Sequence, residues 1–162
     1  QKYKIMKILL LSLGRTTDEN IKNQIHEFSN RLSNYVSFEH YEIPIQKKSK
    51  KLSVVEFRNY DSEMINKHIL KGDYLVLLDE KGKSYTSIDF AKKIESFMLN
   101  SYKRIVFVVG GPYGFSDQLY NLANEKLSLS KMTFSHQMIR LFFIEQLYRA
   151  FTIIRNEKYH NQ

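Results

Sequence analysis

The residue types best suited to chemistry lie in the last third of the chain. A glycine-rich segment, Gly110-Gly111-Pro112-Tyr113-Gly114, follows an apolar run. Glycine at the end of a strand lets backbone N–H groups approach a ligand closely. The three glycines do not have the G-x-G-x-x-G spacing of a dinucleotide-binding loop. On spacing alone, a ligand-binding loop and a plain tight turn are equally good interpretations.

The C-terminal segment combines cationic, aromatic and imidazole side chains. Arg140 and Arg149 lie in a stretch that is otherwise strongly apolar, and Glu145 precedes Arg149 by the spacing of a helical ion pair. The tail beyond this stretch contains Arg155, Lys158, Tyr159 and His160. Groups of these types bind nucleobases or act on them.

Several other chemistries are excluded by the sequence. The chain has no cysteine, which excludes disulfides, thiolate catalysis and cysteine-ligated zinc. Its histidines form no H-x-x-x-H or H-E-x-x-H pair, so no metal site is predicted. A G-x-S-x-G nucleophile elbow is absent. Gly82-Lys83-Ser84 resembles the end of a P-loop, but Leu77 stands where that motif needs glycine, so we predict a surface turn there.

The composition indicates a globular protein with an anionic partner. The chain has 162 residues, which predicts a single domain over 1–162, and its net charge of +8 favours nucleic acid. No apolar run reaches the ~18 residues that a membrane span needs, and the start lacks a signal-peptide pattern. We therefore expect a cytoplasmic protein with no membrane partner. A lysine cluster at 47, 48, 50 and 51 predicts either a solvated loop or a clamp for phosphates.

The elements that must position these residues follow from the apolar periodicity. Strands are predicted over 5–13, 36–45, 74–78, 105–109 and 127–129. Helices are predicted after capping boxes at Thr16/Glu19 and Ser53/Glu56, from 86, over about 117–124, and from Ser135 to about Arg155. The second of these helices is expected to stop at Gly72.

Alternation of strands and helices predicts an α/β fold with a mainly parallel sheet and helices on both faces. The final helix is apolar over more than one face, since Phe142 and Phe143 are adjacent. Such a helix is either a central core helix or packs against a second subunit, and both interpretations stay open.

An ordered set of segments resembles one known family. The segments are Leu78-Asp79, the glycine loop, Leu127-Ser128-Leu129-Ser130-Lys131-Met132-Thr133-Phe134, His136, Ile144-Glu145-Gln146-Leu147-Tyr148-Arg149-Ala150 and Tyr159-His160. In this order they closely resemble the bacterial 23S ribosomal RNA pseudouridine N3-methyltransferase family, of the SPOUT class. The resemblance covers the full length, and the C-terminal third is its specific part.

This resemblance implies a fold, a cofactor and an assembly. The fold would be an α/β sheet with a C-terminal trefoil knot, and the protein a homodimer with its active site across the interface. The cofactor would be S-adenosylmethionine, with no metal. Its pocket would be lined by Leu78, Gly110, Gly111, Leu129, Ser130, Lys131, Met132, Thr133 and Phe134.

The resemblance also implies the reaction, which is methylation of N3 of a pseudouridine in large-subunit ribosomal RNA, on the assembled ribosome. The N3 proton must leave, so a base or a stabilising cation would serve. The candidates are His136, Arg140, Arg149, Tyr159 and His160. This chain departs from the family pattern at Ser135, where proline is common, and at Tyr113, where a small or acidic residue is common.

Other functions stay open beside this one. A SPOUT enzyme could methylate another RNA, such as a transfer RNA. A ribosome-associated factor without catalysis, or a flavodoxin-like nucleotide domain, would use the same general architecture. Binding of S-adenosylmethionine and mapping of the methylated nucleotide distinguish them.

Overall fold

The structure is a computed structural model that describes residues 6–46 and 51–161. Lys47, Lys48 and Lys50 of the lysine cluster lie outside the described residues. Their proposed phosphate contacts stay a prediction from the sequence.

Strands and helices alternate along the chain, as the apolar periodicity predicts. The strands are β1 (Lys7–Leu13), β2 (Ser37–Ile43), β3 (Tyr74–Ser84), β4 (Arg104–Val109) and β5 (Glu125–Ser128). The helices are α1 (Glu19–Leu32), α2 (Val54–Asn66), α3 (Ser87–Leu99), α4 (Asp117–Leu122) and α5 (His136–Ile154). A 3-10 turn follows at Lys158–Asn161, in the tail that the sequence predicts without periodicity.

The five strands form one parallel sheet in the order β2-β1-β4-β3-β5, which confirms the predicted α/β class. In a parallel sheet all carboxyl ends lie along one edge. The glycine loop after β4, the segment after β5 and the polar residues after Leu78 therefore come together at that edge.

Helices cover both faces of the sheet. Alternate strand residues point to opposite faces. Ile8, Leu10 and Phe107 belong to a core with α1, α3 and α5. Leu9 and Leu11 belong to a second core with α2 and α4. Helix α5 packs against both α1 and α3, so the helix that carries most candidate catalytic residues is also central to the first core.

Most predicted helix starts are confirmed by their caps. Ser53 and Glu56 form the predicted capping box of α2, and the Thr86 hydroxyl caps α3. The Ser135 hydroxyl accepts from the backbone N–H of Met138 at 3.2 Å. Serine thus replaces the family's proline at this position without loss of a helix start.

The capping box predicted at Thr16 and Glu19 is wrong. Helix α1 is capped by Asp18, whose carboxylate accepts from the backbone N–H of Ile21 at 3.0 Å. The Thr16 side chain is buried and accepts instead from the guanidinium of Arg140 at 3.1 Å. The Thr16 hydroxyl is therefore bonded to a residue far along the chain and does not cap α1.

The surface turn predicted around Gly82 is also wrong. Strand β3 continues through this region to Ser84, and Lys83 pairs with Leu127 of β5 after an irregularity beyond Leu78. A Cβ on Gly82 would lie 2.6 Å from the carbonyl carbon of Lys126. Glycine there permits close approach of two strands.

Helix α2 ends at Asn66, short of the predicted stop at Gly72. Gly72 adopts a φ of +91° in the turn before β3. The glycine therefore serves a later turn and does not cap the helix.

Candidate functional site

A cavity of about 610 Å³ lies at the carboxyl ends of β4 and β5, beside the part of β3 that follows Leu78. Small-molecule sites commonly have ~300–1,000 Å³. The residues predicted to bind a cofactor line this cavity, except for Lys131, which is exposed outside it. The lining members of that set are Leu78, Gly110, Gly111, Leu129, Ser130, Met132, Thr133 and Phe134.

The glycine loop has no space for side chains at its first two positions. A Cβ on Gly110 would lie 2.8 Å from the ring of Phe115, and a Cβ on Gly111 would lie 2.7 Å from a carboxylate oxygen of Asp61. The backbone N–H of Gly114, at a φ of +76°, donates to the carbonyl of Gly111 at 3.1 Å and closes the loop. The cavity wall here is therefore formed by backbone.

Helix α2 holds the glycine loop in place from the other side. Arg58 Nε donates to the carbonyl oxygen of Tyr113 at 2.9 Å. The backbone N–H of Ser116 donates to the hydroxyl of Ser62 at 2.8 Å. The rings of Phe57 and Tyr113 are stacked with centroids 5.5 Å apart. Tyr113, the departure from the family pattern, thus has a partner on α2.

The segment after β5 is folded back by short-range hydrogen bonds. The Ser128 hydroxyl donates to the carbonyl of Ser130, and the backbone N–H of Met132 donates to the Ser130 hydroxyl, both at 2.9 Å. The Thr133 hydroxyl reaches a carboxylate oxygen of Glu80 at 3.4 Å. These contacts form a compact arm along the cavity beside β3.

His136 lies at the junction of this arm with α5. It is the first residue of the helix, borders the cavity and forms a hydrogen bond with the backbone of Gly110. Desolvation, followed by the positive charge of Arg140, lowers the pKa of His136. Because the pKa lies below the usual value of about 6.5, the imidazole is largely neutral at pH 7 and can accept a proton.

Arg140 is buried between α5 and the end of β1. Its side chain is 2% exposed, and its guanidinium donates to the carbonyls of Leu13 and Gly14 at 2.7 and 2.9 Å. It also forms an ion pair with Glu42 at 3.0 Å. Arg140 therefore ties α5 to the end of β1.

The tail residues form a separate cluster around Glu145. Arg149 pairs with this carboxylate at 2.8 Å, and the Tyr159 hydroxyl donates to it at 2.9 Å. The guanidinium of Arg149 also lies over the Tyr159 ring, and its Nη1 is 3.4 Å from His160 Nδ1. Burial, then the hydrogen bond to Glu145, raises the pKa of Tyr159 to about 12.

The two groups of predicted catalytic residues are far apart within the chain. His136 and Arg149 lie at opposite ends of α5, which at 1.5 Å per residue separates them by roughly 20 Å along the helix. Within the described residues of one chain, the tail does not reach the cavity beside His136.

Sequence reasoning missed several polar residues of the cavity. Asp79, Glu80, Arg58 and Tyr120 line it. Asp79 accepts from the Tyr120 hydroxyl and from the backbone N–H of Lys81, the latter at 2.8 Å. The signal for Asp79 and Glu80 was their position directly after an apolar strand, at the ligand-binding edge of the sheet.

Residues 6–46 and 51–161 contain no cluster of three or more His, Cys, Asp or Glu side chains that could hold a metal ion. Within this part of the chain, no helix is both long and apolar enough to span a bilayer.

Comparison with known proteins identifies the family. Residues 6–160 match the family described as "Predicted SPOUT methyltransferase". The chain belongs to the SPOUT methyltransferase family. A protein of Parabacteroides distasonis named ribosomal RNA large subunit methyltransferase H is 54% identical over 157 residues, 97% of this chain and all of that protein. Proteins of the same name in Phocaeicola vulgatus and Flavobacterium johnsoniae are 48% and 46% identical over equal shares.

A solved structure supports the fold alone. The chain is similar to a structure described as a probable methylase family protein from Haemophilus influenzae, with a TM-score of 0.52 and 12% identity. The match covers 98% of this chain and 69% of that one. At this identity the likeness shows the fold alone.

Proposed function

We propose that this protein is an S-adenosylmethionine-dependent methyltransferase that methylates N3 of a pseudouridine in large-subunit ribosomal RNA. The observation that carries the proposal is the cavity formed by the glycine loop and the arm 129–134 in a chain of the SPOUT family. The relatives' printed name supports ribosomal RNA as the substrate class, and the net charge of +8 suits such a polyanion.

The cavity has the chemistry that S-adenosylmethionine requires. Its apolar side chains, among them Leu78, Leu129 and Phe134, suit an adenine ring. The carboxylates of Asp79 and Glu80 suit a ribose diol and the cofactor's positive charges. The backbone wall at Gly110 and Gly111 lets a ligand approach where any side chain would collide with Phe115 or Asp61. The residues present therefore fit this cofactor.

When bound, the cofactor supplies an activated methyl group, so the chain needs neither a covalent nucleophile nor a metal. The protein's task is to hold the acceptor nitrogen in line and to accept its proton. His136 is our candidate for the base, because its imidazole borders the cavity and is largely neutral at pH 7. Arg140 positions it by fixing the start of α5 to β1.

We propose that the active form is a homodimer, in which the tail of a second copy completes the site. The reason is the separation of roughly 20 Å along α5 between His136 and Arg149, which one chain cannot close by itself. The partly buried face of α5, which includes Leu141 and Phe142, offers apolar surface for such a contact. A homodimer buries one self-complementary patch on each copy.

We further propose that the chain acts as one SPOUT domain with a C-terminal trefoil knot, in the cytoplasm where ribosomes are found. Assembled ribosomes should be the substrate, since a domain of this size has little surface with which to recognise an isolated hairpin.

The test is methyl transfer from labelled S-adenosylmethionine to three RNAs at equal concentration: assembled ribosomes, free 23S RNA and total transfer RNA. We expect methylation of ribosomes with a rate constant at least tenfold above that for free RNA. Full-rate methylation of a short hairpin would contradict the ribosome requirement. Methylation of transfer RNA would favour the alternative in which this SPOUT enzyme acts on transfer RNA. Failure to bind S-adenosylmethionine by calorimetry would favour a non-catalytic factor.

A further inference from the structure

A second cavity lies on the opposite side of the glycine loop. It has a volume of about 1060 Å³ and opens beyond the carboxyl ends of β1 and β2. Residues 110–113 and His136 border both cavities, so the two cavities adjoin along the glycine loop and at His136.

The walls of the second cavity are aromatic and apolar. Phe57 and Tyr113 stack with an interplanar angle of 28°, and Tyr113 is 42% exposed. Ile45 at the rim is 53% exposed. Flat aromatic surfaces bind unstacked nucleobases, at a gain of ~1–3 kcal/mol per base by alanine substitution.

Polar groups of the second cavity suit the rest of a nucleotide. Arg15 is exposed at its edge, directly after the end of β1, and carries a full positive charge. Its backbone is held in place, because Gln137 Nε2 donates to the Arg15 carbonyl at 3.2 Å and Gln137 Oε1 accepts from the N–H of Thr17 at 2.7 Å. A fixed backbone with an exposed guanidinium is suited to a phosphate.

We propose that the second cavity binds the acceptor nucleotide, with its uracil-type base against Phe57 and Tyr113 and a backbone phosphate at Arg15. This inference rests on the proposed function and assigns the acceptor side of the same site. The methyl carbon leaves a sulfonium sulfur, which keeps the bonding electron pair, and joins N3. The N3 proton passes to the neutral imidazole of His136, which borders both cavities, and then to water.

The test separates acceptor binding from cofactor binding. Phe57→Leu keeps an apolar side chain and removes the ring, and Arg15→Gln removes the charge. Lys103→Gln, at the exposed opposite edge of the sheet before β4, is the charge-matched control. The measurements are KM and kcat with ribosomes, and the Kd for S-adenosylmethionine by calorimetry.

We expect Phe57→Leu to raise KM for ribosomes by roughly 5- to 100-fold. Arg15→Gln should raise KM and reduce the slope of log KM against log salt by about one. Both variants should bind S-adenosylmethionine within about twofold of wild type, and Lys103→Gln should leave all constants unchanged. Unchanged KM in both variants of an active enzyme would overturn the proposal, as would an equal loss of cofactor affinity.

Two further measurements keep this proposal distinct from the general function. Titration of uridine 5′-monophosphate into the wild type, followed by amide NMR, should shift the signals of Gly111, Tyr113 and Gln137. No shift at millimolar nucleotide would contradict acceptor binding there, even if the enzyme methylates ribosomes. If the wild type methylates no RNA, the proposed function fails while this titration still tests the cavity. The oligomeric state of Phe57→Leu is compared with that of the wild type by sedimentation. If the variant is a monomer and the wild type a dimer, the second cavity belongs to an interface between copies and not to an acceptor site.

Discussion

Replacement of Arg140 by methionine tests whether this residue stabilises the fold or acts on the substrate. The guanidinium is buried and bonded to the carbonyls of Leu13 and Gly14, and it pairs with Glu42, whose side chain is about a third exposed. Loss of one partner of a fully buried ion pair costs ~3–5 kcal/mol, and a partly exposed pair costs less because solvent screens it. Arg140→Met also removes the donors to the buried carbonyl of Leu13 and the partly buried carbonyl of Gly14. We therefore expect the free energy of unfolding to fall by about 3 kcal/mol.

The assay is thermal and urea unfolding at pH 7.5 and fixed protein concentration, because assembly would make Tm depend on concentration. At roughly 2–4 °C per kcal/mol for a domain of this size, Tm should fall by about 6–12 °C. Arg149→Met is the control on the same helix, since the Arg149 side chain is 24% exposed and that of Arg140 only 2%. We expect a loss of about 1 kcal/mol or less there.

A second substitution separates the ion pair from the carbonyl contacts. Glu42→Gln added to Arg140→Met should recover part of the lost stability, because it removes the uncompensated carboxylate. A Tm for Arg140→Met within about 2 °C of wild type, together with lost methyl transfer, would refute the reasoning and return Arg140 to the catalytic residues.

Three further predictions concern proton binding and the glycine loop. Burial lowers the pKa of His40 to about 4, so the unfolded chain binds a proton at this residue more readily than the folded chain does. The free energy of unfolding should therefore be highest above about pH 6.5. At pH 5 it should be lower by about 2 kcal/mol. Urea unfolding at both pH values checks this, and an equal pH dependence in His40→Gln would contradict it. Gly111→Ala should weaken S-adenosylmethionine binding at least tenfold by calorimetry, because its Cβ would displace the loop from Asp61; unchanged affinity would show that the loop tolerates the shift. The raised pKa of Tyr159 predicts that pH–rate profiles of wild type and Tyr159→Phe have the same shape up to pH 10. A basic limb that disappears in Tyr159→Phe would show that the phenolate takes part.

Local patterns were sufficient to predict the architecture. Within the described residues, the sequence patterns located the five strands and the five α-helices, since burial on both sheet faces requires continuous apolar strands such as 105–109. Caps at Ser53 and Ser135 depend only on residues three positions away, and both were correct. The residues that the resemblance assigns to cofactor binding, apart from Lys131, lie together around one cavity because the parallel sheet brings them to one edge.

The errors arose where long-range contacts decide the structure. Thr16 and Glu19 have the residue types and spacing of a capping box. The Thr16 hydroxyl instead accepts a hydrogen bond from Arg140, which is far along the chain. Gly82 has a turn's composition, but pairing with β5 keeps it in a strand. The partners of Arg140 at the end of β1 are likewise far from it in the sequence, and its catalytic role stays a prediction. Contacts between residues this far apart in the sequence cannot be predicted from short-range spacing.

The most direct test of the proposed function is to map the methyl group. Assembled ribosomes from cells that lack this modification are incubated with the protein and S-adenosylmethionine, and the RNA is digested and analysed by mass spectrometry. The account predicts one added methyl group, on N3 of a pseudouridine in large-subunit RNA. No methylation, or a methyl group on another atom or another RNA, would contradict it.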